Sequence, residues 1–215
     1  MGHDGRVDAD QVAALRALLA PTGWLERTRA FARALRSSAR TPGGLLLVGT
    51  PGEEPWHLAA HLDEESRFAG IPELAPTLIR WAPPAGAPEH LRMGLRRLEA
   101  ARRGEALFVV SPQAAPVPLL ERVGDARRAG AVILAIDQGD RELEDLAHEA
   151  LTVREATDPV TFDAAQHLVS AAAGERGPGP GRPGQTGQRG QATGLRGLRS
   201  RLARLLDTVS GSPPE

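Results

Sequence analysis

Five short apolar runs alternate with helix-patterned segments along this chain of 215 residues. The apolar runs cover residues 44–49, 77–82, 105–111, 131–137 and 151–154. Continuous apolar runs of this length are typical of strands that are buried on both faces of a parallel sheet. The segments with helical spacing of apolar residues cover residues 10–20, 22–40, 55–69, 89–103, 116–130, 141–150 and 158–173. This alternation predicts a three-layer α/β/α fold, in which helices cover both faces of a five-stranded parallel sheet and two helices precede the first strand.

The composition divides the chain into a folded domain and a tail. Residues 1–9 are polar and we expect them to be disordered, whereas residues 10–173 carry the alternating pattern of the domain. Residues 174–194 are rich in glycine and proline and nearly lack apolar side chains, so they cannot bury enough surface to offset the entropy cost of ordering. We expect a flexible linker there, followed by a helix over residues 195–209 and a short tail at residues 210–215.

The segment at residues 195–209 predicts a basic amphipathic helix. One face would carry six apolar side chains: Leu195, Leu198, Leu202, Leu205, Leu206 and Val209. Residues 1–175 contain 19 Arg and 25 acidic residues, a balance of −6, whereas residues 176–215 contain 7 Arg and 2 acidic residues, a balance of +5. One hypothesis is therefore a tethering protein, whose basic helix docks on a partner protein or on an anionic membrane surface.

Missing residue types exclude several kinds of chemistry. Cysteine and lysine are absent, and all 26 basic residues are arginine. The chain therefore has no disulfide, no cysteine zinc site, no P-loop lysine and no Schiff-base lysine.

No apolar run approaches the length of a membrane-spanning helix and the polar N-terminus lacks a signal core, so we expect a soluble cytoplasmic protein. An acidic domain without interleaved aromatic and basic residues argues against nucleic acid as a partner.

Ligands of open parallel sheets bind beyond the carboxyl ends of the strands. The loops that follow the predicted strands there are residues 49–55, 111–116 and 137–141. Ser111 can bond a phosphate oxygen or cap the following helix, and Asp137 can bind a cation or a sugar hydroxyl or form an Asx-type turn. The first loop, GTPGEEP, departs from the G-x-G-x-x-G fingerprint of dinucleotide sites, and we expect no cofactor.

Residues 104–154 resemble part of the sugar isomerase (SIS) domain family. GEALFVVS, ARRAGAVILAID and ELEDLAHEALTV are similar to that family's third strand, its "arrA-x-x-x-GA-x-x-iaiT" segment and its "s-x-L-a-x-x-A-D-x-x-l" segment. The leading helix and the closing TFDAAQHLVSAAA extend the resemblance to residues 22–173. The resemblance implies the flavodoxin-like strand order 2-1-3-4-5, a homodimer, and a site for a phosphosugar or a related carbohydrate derivative.

In that family a G-x-G-x-S turn after strand 1 and an S-x-S-G-x-T loop after strand 3 hold the sugar phosphate. Gly49 matches the first glycine, while Pro51 and Glu53 replace the second glycine and the serine. Ser111 matches the first serine of the second loop, but other residues replace the remaining motif positions: Gln113, Ala114 and Pro116. Most hydroxyl donors are therefore lost. The candidate ligand-binding residues are Gly49, Thr50, Gly52, Ser111, Gln113 and Asp137.

The segment HLAAHLDEESRFAG is similar to the first helix of the phosphoheptose isomerase branch, and His167 is similar to the histidine of its last helix. Aldose–ketose isomerisation needs a general acid and base across the C1–C2 bond. The resemblance implies that Glu64 or Glu65 acts with His167 as this pair. His57 and His61 share a helix face, but the segment lacks the Glu of H-E-x-x-H and a third ligand, so we expect no metal site.

Three functions remain open from the sequence. The leading hypothesis is an SIS-like domain that binds a phosphosugar or a related carbohydrate derivative with weak or no catalysis, in a regulatory or scaffold role. The second is a phosphosugar aldose–ketose isomerase that acts through Glu64 or Glu65 and His167. The third is the tethering protein whose C-terminal helix at residues 195–209 docks on a partner or a membrane surface.

Overall fold

The structure is a computed structural model of the full chain, and it describes residues 19–83, 85–86 and 92–175. Most of the helix predicted at residues 10–20 lies outside the described residues. The linker predicted at residues 174–194 lies outside them from residue 176 onward, as does all of the basic helix predicted at residues 195–209.

The apolar runs form a single five-stranded parallel sheet. Its strands are β1 (Leu45–Val48), β2 (Pro76–Ile79), β3 (Ala106–Ser111), β4 (Val132–Asp137) and β5 (Glu149–Thr152). The strands lie in the order β2-β1-β3-β4-β5, and every neighbouring pair is parallel. The predicted order 2-1-3-4-5 is therefore confirmed. The order reverses at β1 and β3, the strand pair whose loops were predicted to hold a ligand.

Within the described ranges, six α-helices cover the sheet. They are α1 (Trp24–Ser38), α2 (Trp56–Ala69), α3 (Arg96–Glu99), α4 (Val117–Arg128), α5 (Arg141–Leu146) and α6 (Phe162–Gly174). Buried side chains of α1, α2 and α6 pack on one face of the sheet, and those of α3, α4 and α5 pack on the other. This arrangement confirms the three-layer α/β/α prediction.

Alternating side chains of the strands supply both halves of the core. In β1, Leu45 and Leu47 face the layer of α1, α2 and α6, while Leu46 and Val48 face the opposite layer. All four side chains are fully buried, as expected for a parallel strand with helices on both sides. Helix α6 lies between α1 and α2 and packs against both, so most of its residues are buried.

The helix predicted at residues 89–103 is wrong over the residues that the structure describes there, 92–103. Only Arg96–Glu99 is helical. The carbonyl of Met93 accepts a hydrogen bond of 2.7 Å from the backbone N–H of Arg80, and Gly94 forms a parallel bridge with the same residue. This segment therefore continues the edge of the sheet beyond β2 instead of forming a helical turn.

The last helix begins at Phe162, three residues after the start predicted with Asp158 as its cap. Thr161 caps it, since its hydroxyl accepts a hydrogen bond of 3.2 Å from the N–H of Ala164. Asp158 was the predicted start, but its carboxylate accepts a hydrogen bond of 2.7 Å from the N–H of Arg154 and closes a turn. Both residues are good caps, and the sequence alone did not separate them.

Candidate functional site

The loop after β1 folds back on itself. The backbones of Thr50 and Glu53 exchange two hydrogen bonds of 3.1 and 3.2 Å. The indole N–H of Trp81 donates a hydrogen bond of 2.8 Å to the carbonyl of Gly49. A Cβ at Gly49 would clash with the carbonyl of Glu53 and the ring of Pro55, so only glycine fits there. The backbone N–H groups of Thr50 and Glu53 are therefore used within the loop and are unavailable to a phosphate.

Glu54 ties the same loop to the end of β2. Its carboxylate accepts hydrogen bonds from the guanidinium of Arg80 at 3.0 Å and from the backbone N–H of Trp81 at 3.2 Å. The guanidinium of Arg80 also stacks on the ring of Trp56, 4.6 Å from its centroid. The carboxylate of Glu54 is thus paired with Arg80 and fixes the loop to the end of β2. Gly52 lies exposed in this loop.

The loop after β3 uses its donors internally as well. Ser111 is fully buried, and its hydroxyl donates a hydrogen bond of 2.6 Å to the carbonyl of Gln113. The N–H of Ala115 donates a hydrogen bond of 2.7 Å to the carboxylate of Asp140. Pro112 and Pro116 have no N–H to offer. Ser111 therefore stabilises the turn at the end of β3 in the arrangement that the structure shows.

Two carboxylates after β4, those of Asp137 and Asp140, bind several loop amides. Asp140 caps α5 by accepting hydrogen bonds from the N–H groups of Glu142 and Leu143. One carboxylate oxygen of Asp137, Oδ1, accepts hydrogen bonds from the N–H groups of Gly139 at 2.6 Å and Asp140 at 3.2 Å. This is the Asx-type turn that the sequence left open as one alternative. The amides of Gly139, Asp140, Glu142 and Leu143 are therefore bound by the chain's own carboxylates.

Asp137 is fully buried, and its second oxygen, Oδ2, has no hydrogen-bond partner among the described residues. Burial raises the pKa of Asp137, and the nearby Glu144 raises it further, while the hydrogen bonds from Gly139 and Asp140 oppose the rise. Glu144 in turn accepts a hydrogen bond of 2.7 Å from the hydroxyl of Thr152. Thr152 lies opposite Asp137 in the register of β4 and β5. The end of β4 therefore carries a fully buried carboxyl, Asp137, and the half-buried Glu144 lies near enough to raise its pKa.

A cavity of about 500 Å³ opens beyond the carboxyl ends of β4 and β5. Its lining residues are Gln138, Gly139, Arg141, Glu144, Val153, Arg154, Glu155 and Ala156. Arg141 and Arg154 form no ion pair with any residue in the described ranges. No motif in the sequence marked this cavity, although Arg141 follows one predicted strand and Arg154 ends another, the position where ligand contacts collect.

The predicted catalytic residues lie in the contact between α2 and α6. The rings of His61 and His167 meet edge to face with their centroids 4.6 Å apart. Nε2 of His167 lies 3.4 Å from the carboxylate of Asp163, and Nδ1 of His61 lies 3.9 Å from that of Glu64. The hydrogen bond with His167 lowers the pKa of Asp163, and the neighbouring imidazoles of α2 add to this effect. The structure thus brings His167 to a second histidine.

The structure places Glu65 at a different point on α6. A Cβ at Gly174, the last residue of that helix, would clash with the carboxylate of Glu65. Gly174 follows His167 by seven residues, which is about 10 Å along a helix. Glu65 and His167 are therefore separated by roughly two turns, while Glu64 lies beside His61. Within the described part of the chain, no group of three or more potential ligands could hold a metal ion.

No protein-family model matches the chain, and no curated protein matches it significantly. Among solved structures, it is similar to a candidate phosphosugar isomerase from Salmonella typhimurium LT2, with 15% identity over 87% of this chain and a TM-score of 0.53. The chain spans about half (51%) of that protein's length.

Two further solved structures have TM-scores of 0.48. One is the sugar isomerase domain of an RpiR transcription factor from Sphaerobacter thermophilus, 16% identical, with 97% of this chain and 99% of that chain covered. The other is a candidate phosphosugar isomerase from Silicibacter pomeroyi DSS-3, 15% identical, with 94% of this chain and 53% of that chain covered.

In the described residues, no helix is long and apolar enough to cross a membrane. The strand order and the likeness to the Salmonella structure together identify the chain as a domain with the sugar isomerase (SIS) fold.

Proposed function

We propose that this chain is a cytoplasmic SIS-fold domain that binds a phosphosugar or a related carbohydrate derivative and acts as a regulator or scaffold, with weak or no catalysis. The observation that carries the proposal is the cavity beyond β4 and β5, which presents two arginines without ion-pair partners among the described residues. A cavity of about 500 Å³ lies within the usual range for small-ligand sites.

The lining of the cavity fits an anionic, hydroxyl-bearing ligand. Arg141 and Arg154 supply planar guanidinium groups, which bind phosphate and carboxylate through paired hydrogen bonds. Gln138 and Glu144 supply side-chain groups that accept hydrogen bonds from sugar hydroxyls, and the amide of Gln138 also donates. The ligand would then bind beside β4 and β5, because the amides of Thr50, Glu53 and Ala115 and the hydroxyl of Ser111 are already used within the protein.

The separation of Glu65 from His167, and of both from the cavity, favours binding over isomerisation. A general acid and base must both lie within hydrogen-bond reach of the atoms between which they move a proton. Glu65 lies by Gly174 and His167 by His61, both in the helix contact of α2 and α6. The cavity, by contrast, is lined by residues that follow β4 and β5.

Thermal-shift measurement of the full chain against a panel of sugar phosphates and sugar acids tests the proposal. Arg154→Gln and Arg141→Gln should each reduce a ligand-induced rise in Tm. Arg128→Gln is the matched control. Arg128 is largely exposed and is the last residue of α4, so it lies near the amino ends of the strands, away from the cavity at their carboxyl ends. The absence of any shift at millimolar ligand would count against the proposal. Isomerase assays in parallel should detect little or no turnover.

The same proposal includes a homodimer and a role for residues 195–209 in reaching a partner protein or an anionic membrane surface. The basic composition of that segment supports the second part, because its apolar and arginine positions separate by helical spacing. Sedimentation of the full chain, and flotation of the peptide 195–209 with anionic vesicles, test the two parts separately.

A further inference from the structure

Among the large apolar side chains that the structure describes, Phe68 is the most exposed, with 68% of its surface accessible. It lies in the last turn of α2. Helices α2 and α6 run in the same direction, because His61 meets His167 and, further along, Glu65 lies close to Gly174. Gly174 ends α6, and Glu65 precedes Phe68 by about one turn. The last turn of α2 therefore extends past the end of α6, and its aromatic ring faces solvent.

The C-terminal tail leaves the domain beside this turn. Glu175 is the last described residue, and it directly follows the end of α6. The guanidinium of Arg36 donates hydrogen bonds of 2.6 to 3.1 Å to three carbonyls there, those of Ala172, Ala173 and Glu175. The end of α6 is thereby anchored on α1. The tail thus starts from a fixed point close to Glu65, about one helical turn from Phe68.

The charges around Phe68 and in the tail are opposite. Residues 63–75 contain four acidic residues and one arginine, a balance of −3. That arginine, Arg67, is paired with Asp63, so the sign of the surface is set by the other three acidic residues, Glu64, Glu65 and Glu73. Residues 195–209 contain four arginines and one aspartate, a balance of +3. The two surfaces are therefore complementary in charge, which favours association and sets its orientation.

The length of the tail also suits a contact within the chain. Nineteen residues, 176–194, separate Glu175 from the basic segment. A glycine-rich chain of this length has an average end-to-end distance of about 24 Å, which is ample for a site about one turn from its origin. Tethering of this kind gives an effective concentration on the order of millimolar, so even a weak contact forms. An isolated helix of about 15 residues is marginal in water, so an apolar surface that covers it also stabilises it.

We propose that residues 195–209 dock as an amphipathic helix on the last turn of α2 of their own domain. The leucines of the segment would pack around Phe68, and its arginines would lie toward the acidic residues of 63–75. The inference concerns the tail and not the cavity, so it goes beyond the ligand-binding function proposed above. In the free chain the docked segment buries its apolar face. A partner protein or a membrane that binds the segment must then displace it from α2.

Paramagnetic NMR of the full chain tests this contact. The chain has no cysteine, so Ser200→Cys creates a single attachment site for a nitroxide spin label. At helical spacing, residue 200 lies opposite the apolar positions of the segment, and the label therefore leaves the docking face intact. The label should abolish the amide signals of residues 67–70. The signals of α4, which packs on the other face of the sheet, should remain.

Three substitutions in the labelled chain show whether the signal loss has the proposed cause. Phe68→Ser should restore the signals around residue 68. Leu202→Ser should also restore them, and it changes only the tail, so the domain keeps its fold. Val117→Ser is the matched control, because Val117 is likewise exposed, at 64%, but belongs to α4. It should leave the signal loss unchanged.

A mixed sample distinguishes docking within one chain from docking between two copies. A spin-labelled chain without isotope enrichment is added to an equal amount of ¹⁵N-labelled chain that carries no spin label. The amide signals of residues 67–70 in the ¹⁵N-labelled chain should stay intact. Loss of these signals in the mixture would overturn the inference in favour of a second copy. Intact signals in the singly labelled chain would overturn it as well, and neither result bears on ligand binding in the cavity.

Discussion

Asp140 Oδ2 accepts a hydrogen bond of 2.7 Å from the backbone N–H of Ala115, and this bond joins the loop after β4 to the loop after β3. Oδ1 of the same carboxylate caps α5. One side chain therefore joins two of the three loops in which the sequence predicted ligand contacts. The bond also explains why the β3 loop offers no free amide at Ala115 for a phosphate.

Asp140→Ala should destabilise the fold by about 2–3 kcal/mol, because it removes a helix cap and leaves the N–H of Ala115 without a partner. Urea unfolding measures the free-energy change. Asp140→Asn should retain most of the capping energy and cost clearly less. The exposed Asp145→Ala, on the same helix, is the control and should stay within about 0.5 kcal/mol of the wild type. Equal losses for Asp140→Ala and Asp145→Ala would contradict this account.

Gly49→Ala should destabilise the protein by roughly 2–4 kcal/mol, because the new methyl group would meet the carbonyl of Glu53 and the ring of Pro55. Gly52→Ala is a matched control in the same loop, where a Cβ meets nothing within 4 Å. Thermal unfolding of the two variants should therefore give a large loss of Tm for the first and little change for the second. Similar Tm values for both would show that the loop after β1 is not folded back as described.

Asp137→Asn should increase stability at neutral and alkaline pH, and the increase should disappear in acid. Burial raises the pKa of Asp137. Below the ordinary carboxyl pKa, both the folded and the unfolded chain hold the proton. As the pH rises from that value through the raised one, the folded state binds more protons than the unfolded state, so stability falls. Asparagine does not ionise, so it removes this loss of stability, and its side-chain oxygen can still accept the hydrogen bonds from the N–H groups of Gly139 and Asp140. Stability that is lower for Asp137→Asn at pH 8 would contradict the prediction.

Asp163→Asn should lower stability at neutral pH by less than about 1 kcal/mol, since the carboxylate is half exposed. The hydrogen bond with His167 lowers the pKa of Asp163, so its contribution is present above the ordinary carboxyl pKa. This contribution to stability is lost as the pH falls through the lowered pKa of Asp163, so the Tm values of the wild type and of Asp163→Asn should then become equal. Tm values across pH 2 to 7 measure the difference. A gap that persists at the acid end would indicate another cause.

The sequence predicted the sheet better than the site. Runs such as residues 131–137 could be identified as strands because β4 has helices on both faces and needs a continuous apolar run. The segment at residues 89–103 has helical spacing, but pairing of Met93 with Arg80 at the sheet edge prevails over that local pattern. Thr161 and not Asp158 caps helix α6, because the carboxylate of Asp158 instead accepts a hydrogen bond from the N–H of Arg154.

The candidate site depended on contacts that spacing cannot reveal. The loss of hydroxyls at Gln113 and Pro116 was visible in the sequence, and it agrees with a β3 loop that satisfies its own donors. The contact of His61 with His167 joins helices that are far apart in the chain, and no motif predicted it. The cavity of Arg141 and Arg154 likewise forms only when β4 and β5 lie side by side.

Isothermal titration of the full chain with sugar phosphates tests the central claim most directly. The account predicts saturable binding of at least one sugar phosphate, about tenfold or more weaker in Arg154→Gln and Arg141→Gln and unchanged in Arg128→Gln, with no detectable isomerisation of the bound sugar. Binding that is indifferent to both cavity arginines, or rapid turnover that Glu64→Gln and His167→Gln abolish, would contradict it.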